Sequence, residues 1–289
     1  MKPLYSMTGF GKAILQIPGK KVNIEIKSLN SKQADINLRL SSLYRPKENE
    51  IRQIIAQRLL RGKIDCSIYA ELTGLENAPK INEELAGGYM RQLRDLAADN
   101  GVQGDIIGAV MRMPDVMQSS EDELSSEEWK ALENTLAECL TNIEGFRSDE
   151  GAKLKADIEL RLNNIEAGLE AVKPLEGERI ERVKERMQKA LDQLKLENNQ
   201  DRFEQELIYY LEKFDITEEK VRLKAHLDYF RELMDQGGMI GKKLGFVSQE
   251  IGREINTMGS KANHADIQKQ VVGMKDELEK IKEQVLNIL

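Results

Sequence analysis

The 289-residue chain predicts an α+β fold. A small N-terminal domain of sheet plus helices is expected over 1–120, a long helical hairpin arm over 121–200, and a C-terminal helical module over 201–289. Three observations carry that expectation. Before residue 72, apolar and polar residues alternate at a period of two, the mark of half-buried strands. After Ser125 the apolar residues recur at intervals of three and four, and a single proline, Pro174, interrupts them. Charged residues make up 32% of the chain and aromatics 5%, which favours long solvated helices over a large aromatic core.

The elements follow in order. Ala13 to Ile17 reads as a strand, and Pro18-Gly19 turns the chain. Val22, Ile24 and Ile26 alternate with Asn23, Glu25 and Lys27, and Ile36, Leu38 and Leu40 repeat the pattern. Pro46 stands just inside a helix start, with Ile51, Ile54, Ile55 and Leu59 at helical spacing and Gly62 as the stop. Ile64, Cys66, Ile68 and Ala70 form another strand, and a helix is expected from Asn82 to Asp99. Leu136, Leu140, Ile143, Leu154, Ile158, Leu162, Ile165 and Leu169 mark a long helix that Pro174 and Gly177 should break. Ile180 to Leu196 then reads as a charged helix, suited to an antiparallel hairpin or an oligomer seam. Val271, Met274, Leu278, Ile281 and Val285 give the final helix a core-facing stripe.

Charge divides the chain. Residues 1–72 hold 13 Lys and Arg against 6 Asp and Glu, a net of +7. Residues 73–221 hold 19 against 34, a net of −15, and residues 222–289 hold 11 against 10, a net of +1. A basic head and a near-neutral tail flank an acidic middle, which allows a polyanion to be held at two ends and repelled elsewhere. Lys20, Lys21, Lys27, Lys32, Arg39, Arg45, Arg52, Arg58, Arg61 and Lys63, with Tyr5, Phe10 and Tyr44 nearby, suggest an RNA surface of cations and stacking rings. No run approaches the roughly 20 apolar residues of a membrane span, so no membrane role is expected. Met1 to Phe10 lacks the apolar core of a signal peptide. Two cysteines, Cys66 and Cys139, are too few for a disulfide framework, and a cytoplasmic location is expected.

The densest chemistry lies between residues 204 and 261. Glu204, Glu206, Asp215, Glu218, Glu219, Arg222, His226, Glu250, Arg253, Glu254, Asn256, Thr257, Ser260 and Lys261 fall there on helical segments. Glu250 and Glu254 share a helix face that Thr257 and Lys261 extend, and Glu219, Arg222 and His226 form a second stripe. If the two helices pack, carboxylates and an imidazole converge on one divalent cation, Mg²⁺ or Mn²⁺. Such an ion supports phosphodiester cleavage. Helical Glu and Arg also make exposed ion pairs of little worth, and a histidine between Ala225 and Leu227 also fits a core position. Gly237-Gly238-Met239-Ile240-Gly241-Lys242-Lys243 has the wrong spacing for a phosphate loop and reads as a turn. His264 reads as a loop or helix-entry residue outside the site.

Several segments resemble the YicC/YloC endoribonuclease family. They are Ser6-Met7-Thr8-Gly9-Phe10-Gly11, Ile24-Glu25-Ile26-Lys27-Ser28-Leu29-Asn30, Arg61-Gly62-Lys63, and Asp215-Ile216-Thr217-Glu218-Glu219 running to Arg222-Leu223-Lys224-Ala225-His226. The most specific runs from Gly241-Lys242-Lys243-Leu244 through Phe246, Gln249-Glu250 and Arg253-Glu254-Ile255-Asn256-Thr257 to Gly259-Ser260-Lys261-Ala262. The resemblance implies a metal-dependent, cytoplasmic endoribonuclease that takes part in RNA turnover. It also implies a homo-oligomer, a hexameric ring being one form of it. The matched positions are Glu219, Arg222, His226, Glu250, Arg253, Glu254, Asn256 and Lys261. Chemistry then suggests Glu250, Glu254, His226 and Glu219 as metal ligands, with His226 or Glu219 as base and Arg222, Arg253 and Lys261 on phosphate. Gly245 and Gly252 depart from the family, which more often has Asp and Asn there; the first departure would remove a ligand or a hydrogen bond. An alternative is a non-catalytic RNA-binding adaptor that delivers transcripts to partner ribonucleases, and a third is a purely structural oligomer.

Overall fold

The computed structural model describes residues 3–31, 33–73, 80–101, 103–118, 124–194 and 200–289. Strands β1 (Gly9–Ile17), β2 (Lys20–Leu29), β3 (Ala34–Leu40) and β4 (Gly62–Leu72) form one sheet in the order β1-β2-β4-β3. The pairs β1–β2 and β2–β4 are antiparallel, and β3–β4 is parallel. Gly19 makes the β1–β2 turn at a φ of 76°, where an L side chain would be strained. The parallel pair needs a crossover. It is supplied by the 3₁₀ turn Ser42–Lys47, which contains Pro46, and by helix α1 (Glu48–Arg58). Helix α1 ends before Gly62, which stands at a φ of 120° and opens β4.

A hairpin β5 (Lys80–Ile81) with β6 (Met117–Gln118) encloses helices α2 (Glu83–Asn100) and α3 (Ile106–Val110) around a small core of Ala86, Val110 and Val116. Four helices complete the chain beyond a very long one: α4 (Ser126–Leu194), then α5 (Gln200–Lys213), α6 (Thr217–Gln236), α7 (Gly241–Lys261) and α8 (Ala265–Val285). Helix α4 runs 69 residues, about 100 Å at 1.5 Å per residue.

Helix α4 supplies a side to both large cores. Leu132, Leu136, Cys139, Leu140 and Ile143 cover the same sheet face as Ile51 and Ile55 of α1, over Val22, Ile24, Ile26, Ile64 and Ile68. Three turns further on, Leu154, Ile158, Leu162, Ile165, Leu169 and Val172 enter the core that α6, α7 and α8 share. The expected break at Pro174 and Gly177 does not occur, and α4 continues to Leu194. Proline costs an interior helix about 3 kcal/mol. Tertiary contacts beyond it hold the next turns in place: Glu176 pairs with Lys220 at 2.7 Å, and the buried Arg179 donates to the Phe214 carbonyl at 2.8 Å.

The helices dock through ion pairs as well as apolar contacts. Glu166 of α4 accepts from Lys224 and Arg231 of α6, and Arg231 also reaches Glu159 and Asn163. The Lys224 hydrogen bond, with help from Arg231, holds the Glu166 carboxyl below its ordinary range. A carboxylate whose folded pKa is depressed contributes stability above its unfolded pKa and loses it as pH falls through the folded value. Glu166→Gln is therefore expected to lower the urea midpoint at pH 7. The gap from wild type should close as pH falls below about 4. A gap of the same size at pH 3 would refute the linkage.

One expectation about the basic head is corrected. Tyr44 is fully buried and its hydroxyl donates to Glu128 at 2.8 Å, so its ring is closed to any ligand. Arg52 and Arg58 are engaged by Glu48 and Glu144. Phe10 is exposed, with the Lys27 ammonium 5.9 Å from its ring centre, and Lys32 lies outside the described residues. Among the described residues, no helix is long and apolar enough to cross a membrane.

Candidate metal centre

Helices α6 and α7 lie side by side, joined by a loop in which Gly237 and Gly238 take positive φ values of 62° and 81°. Leu223, Leu227, Phe230 and Leu233 of α6 and Leu244, Val247, Ile251, Ile255 and Met258 of α7 bury the apolar stripes. Burial of those stripes turns the adjacent polar stripes toward one another. Their register is set by Lys261, whose ammonium lies 2.7 Å from Glu219 Oε1.

Two turns further into the groove, His226, Glu250 and Glu254 each offer a ligand atom, and these atoms all lie within 4.8 Å of one another. Glu254 is only 4% exposed, yet no described residue gives it a hydrogen bond or an ion pair. The residue is buried but its carboxylate oxygens are not sealed from solvent, so they stay open to a divalent cation entering the groove. One imidazole and two carboxylates suit Mn²⁺ or Mg²⁺, and the donor set fits such an ion. Glu250 is half exposed and has the Arg253 guanidinium 3.8 Å away.

The other expected site residues distribute around this group. Glu219 is 5% exposed; one carboxylate oxygen meets Lys261, and Oε2 has no partner. Lys261, read from sequence as a phosphate contact, is thus engaged by Glu219. Arg222 pairs with Glu218, and both side chains are more than half exposed. Thr257 donates to the Arg253 carbonyl, and Ser260 to the Thr257 carbonyl. Asp215 accepts from the Thr217 amide and hydroxyl at the start of α6, an interaction that holds its carboxyl below the usual range. Glu204 and Glu206 lie on α5, outside the group. Gly245 stands about 140° around α7 from Glu250, so a side chain there would face away from His226. Gly252 instead faces α8, where a Cβ would come 3.2 Å from Leu278. His264 is the buried residue before α8, and neither ring nitrogen has a partner.

The Glu219–Lys261 pair makes a clear stability prediction. Removing one partner of a buried pair costs about 3–5 kcal/mol. With Lys261 33% exposed, water softens that loss, and Lys261→Met is expected to cost about 2 kcal/mol. Arg222→Met, which breaks an exposed pair, should cost under about 1 kcal/mol. Denaturant midpoints compare them, and equal effects would contradict the burial argument.

Fold and site together define a class. A long helix joins an α+β sheet region to a helical region that carries, among the described residues, one carboxylate–imidazole group. Two family models match the chain: "Endoribonuclease YicC-like, N-terminal region" over residues 4–156, and "Endoribonuclease YicC-like, C-terminal" over residues 172–289. The chain is 32% identical over 290 residues to the "Probable endoribonuclease YicC" of Clostridioides difficile, covering 98% of this chain and 99% of that relative. It is also 32% identical over 287 residues to the protein of the same name from Haemophilus influenzae, covering 99% of each. The chain belongs to the YicC-like endoribonuclease family.

Proposed function

We propose that the protein is an endoribonuclease whose centre is a divalent-metal site made by His226, Glu250 and Glu254. The observation that carries the reading is the convergence of those three ligand atoms around a buried, unpartnered Glu254. The names of the two relatives support RNA as the substrate.

In this reading His226, Glu250 and Glu254 hold the ion, which would supply Lewis-acid stabilisation of phosphate charge and a more acidic water. Arg253, near Glu250, and Arg222, at the groove edge, receive phosphate oxygens as delocalised cations. The half-exposed Glu250 carboxylate has a second oxygen to accept a proton from the attacking water. Glu219 orients Lys261 at one end of the groove and balances its charge. The same reading includes assembly into a homo-oligomer, the form that the family resemblance implies.

The test is cleavage of a labelled structured RNA with Mn²⁺, with Mg²⁺ and with EDTA, alongside Glu250→Gln. Metal-dependent cutting that is lost in the variant is expected. RNA binding without any cutting by the pure wild-type protein would replace this reading with the adaptor.

A further inference from the structure

We propose that Phe246 and Tyr229 form a nucleobase-stacking site in the α6–α7 groove, seating the base next to the phosphate held at the metal centre. The proposal rests on the RNA reading above and names how that site grips its substrate.

Two cross-helix contacts set the geometry. Glu219 meets Lys261, and further along α6 His226 meets Glu250 and Glu254, so the helices run antiparallel. One turn beyond His226 on α6 stands Tyr229, and one turn back from Glu250 on α7 stands Phe246. Both steps lead the same way along the groove, away from Glu219 and Lys261. Intervals of three and four keep each ring on the face of its helix that carries the ligand. The two rings therefore fall within about one helical turn, ~5 Å, of the centre along the groove.

Their exposure and surroundings choose the occupant. Phe246 is 61% exposed and Tyr229 46%, so both rings present faces to solvent. The neighbours are charged: Lys243 three residues before Phe246, Arg253 seven after it and Arg222 seven before Tyr229, the two arginines sharing their charge with Glu250 and Glu218 at exposed pairs that a phosphate can replace. Flat apolar rings with a cation on either side complement a strand of flat bases joined by phosphates. Stacking accepts any base, so the site would position RNA with little sequence preference, purines being held best by their larger faces.

The test uses the full chain in EDTA, so that neither metal binding nor cleavage enters the readout. Affinity for a labelled single-stranded oligoribonucleotide is measured by anisotropy for wild type, Phe246→Ala, Tyr229→Ala and Phe246→Trp. Companion oligonucleotides carry one abasic position each, and light scattering gives the mass of every variant. Each alanine variant should bind about tenfold more weakly, and Phe246→Trp should bind like wild type. One abasic position should cost wild type about tenfold and cost Phe246→Ala nothing further. Unchanged affinity in Phe246→Ala, or the same abasic loss in both proteins, overturns the proposal. So does a fall in assembly mass on Phe246→Ala, which would assign the rings to a contact between copies. Wild type that fails to bind RNA overturns the stacking site together with the reading beneath it. Stacking without metal-dependent cutting sinks only the nuclease reading, whereas cutting with no role for the rings sinks only the stacking site.

Discussion

Glu254→Gln is expected to lower metal-dependent RNA cleavage by more than about a hundredfold, the loss already typical of residues that only support metal ligands. The same variant should lose the stabilisation that Mn²⁺ gives the folded chain. A ligand at a hundred times its Kd adds about 2.7 kcal/mol to stability, and the variant should gain almost none of it. Without metal the sign should reverse. Without the ion, Glu250 and Glu254 hold two like charges within 4.8 Å, so the neutral glutamine should make the apo chain as stable or more stable. A role confined to packing predicts neither the lost metal response nor the reversal. Thermal melts of both proteins with Mn²⁺ and with EDTA decide it, and an unchanged Mn²⁺ shift in the variant would remove Glu254 from the centre.

Gly151→Ala is expected to destabilise the fold by more than about 3 kcal/mol. Helix propensity alone predicts the opposite, because alanine in a helix interior is favoured over glycine by up to about 1 kcal/mol. Packing decides the sign. A Cβ at Gly151 would lie 1.9 Å from the Leu4 carbonyl oxygen and 2.6 Å from its carbon, and backbone cannot yield as a side chain does. Relief would require the segment around Leu4 to leave α4. That segment carries the hydrogen bonds from Gly238 to Pro3, Ser6 to Arg147, Met7 to Asn287 and Leu289 to Tyr5, which tie α4, the α6–α7 loop and the stretch after α8 together. Gly145 lies six residues earlier in α4 with nothing within 4 Å of its Cβ position. Gly145→Ala should stabilise by up to about 1 kcal/mol and serves as the matched comparison. Similar urea midpoints for the two variants would contradict the packing argument.

Periodicity alone made the strands legible, since Val22, Ile24 and Ile26 and then Ile64, Cys66 and Ile68 alternate and are all buried. It also placed Glu219, Arg222 and His226 on one helix and Glu250 and Glu254 on another. Their spacing is a local property, fixed by 3.6 residues per turn wherever the helix is put. Tyr229 carried a readable signal too, its interval of three from His226, but spacing does not tell an exposed ring from a buried one. The same limit misled at Tyr44, which sits in a basic stretch yet is sealed in the core against Glu128.

What the sequence by itself determined is therefore the inventory: an α+β head, helices thereafter, and two helical stripes of charged and imidazole side chains. Tertiary structure alone decided how that inventory is used. It carried α4 through Pro174, because contacts from Lys220 and Phe214 hold the turns beyond a break that local energetics favours. It gave Lys261 to Glu219 and left Glu254 buried without a partner beside His226 and Glu250. Which charge neutralises which carboxylate depends on distance through space and on the water excluded around it, and neither quantity is written in residue order.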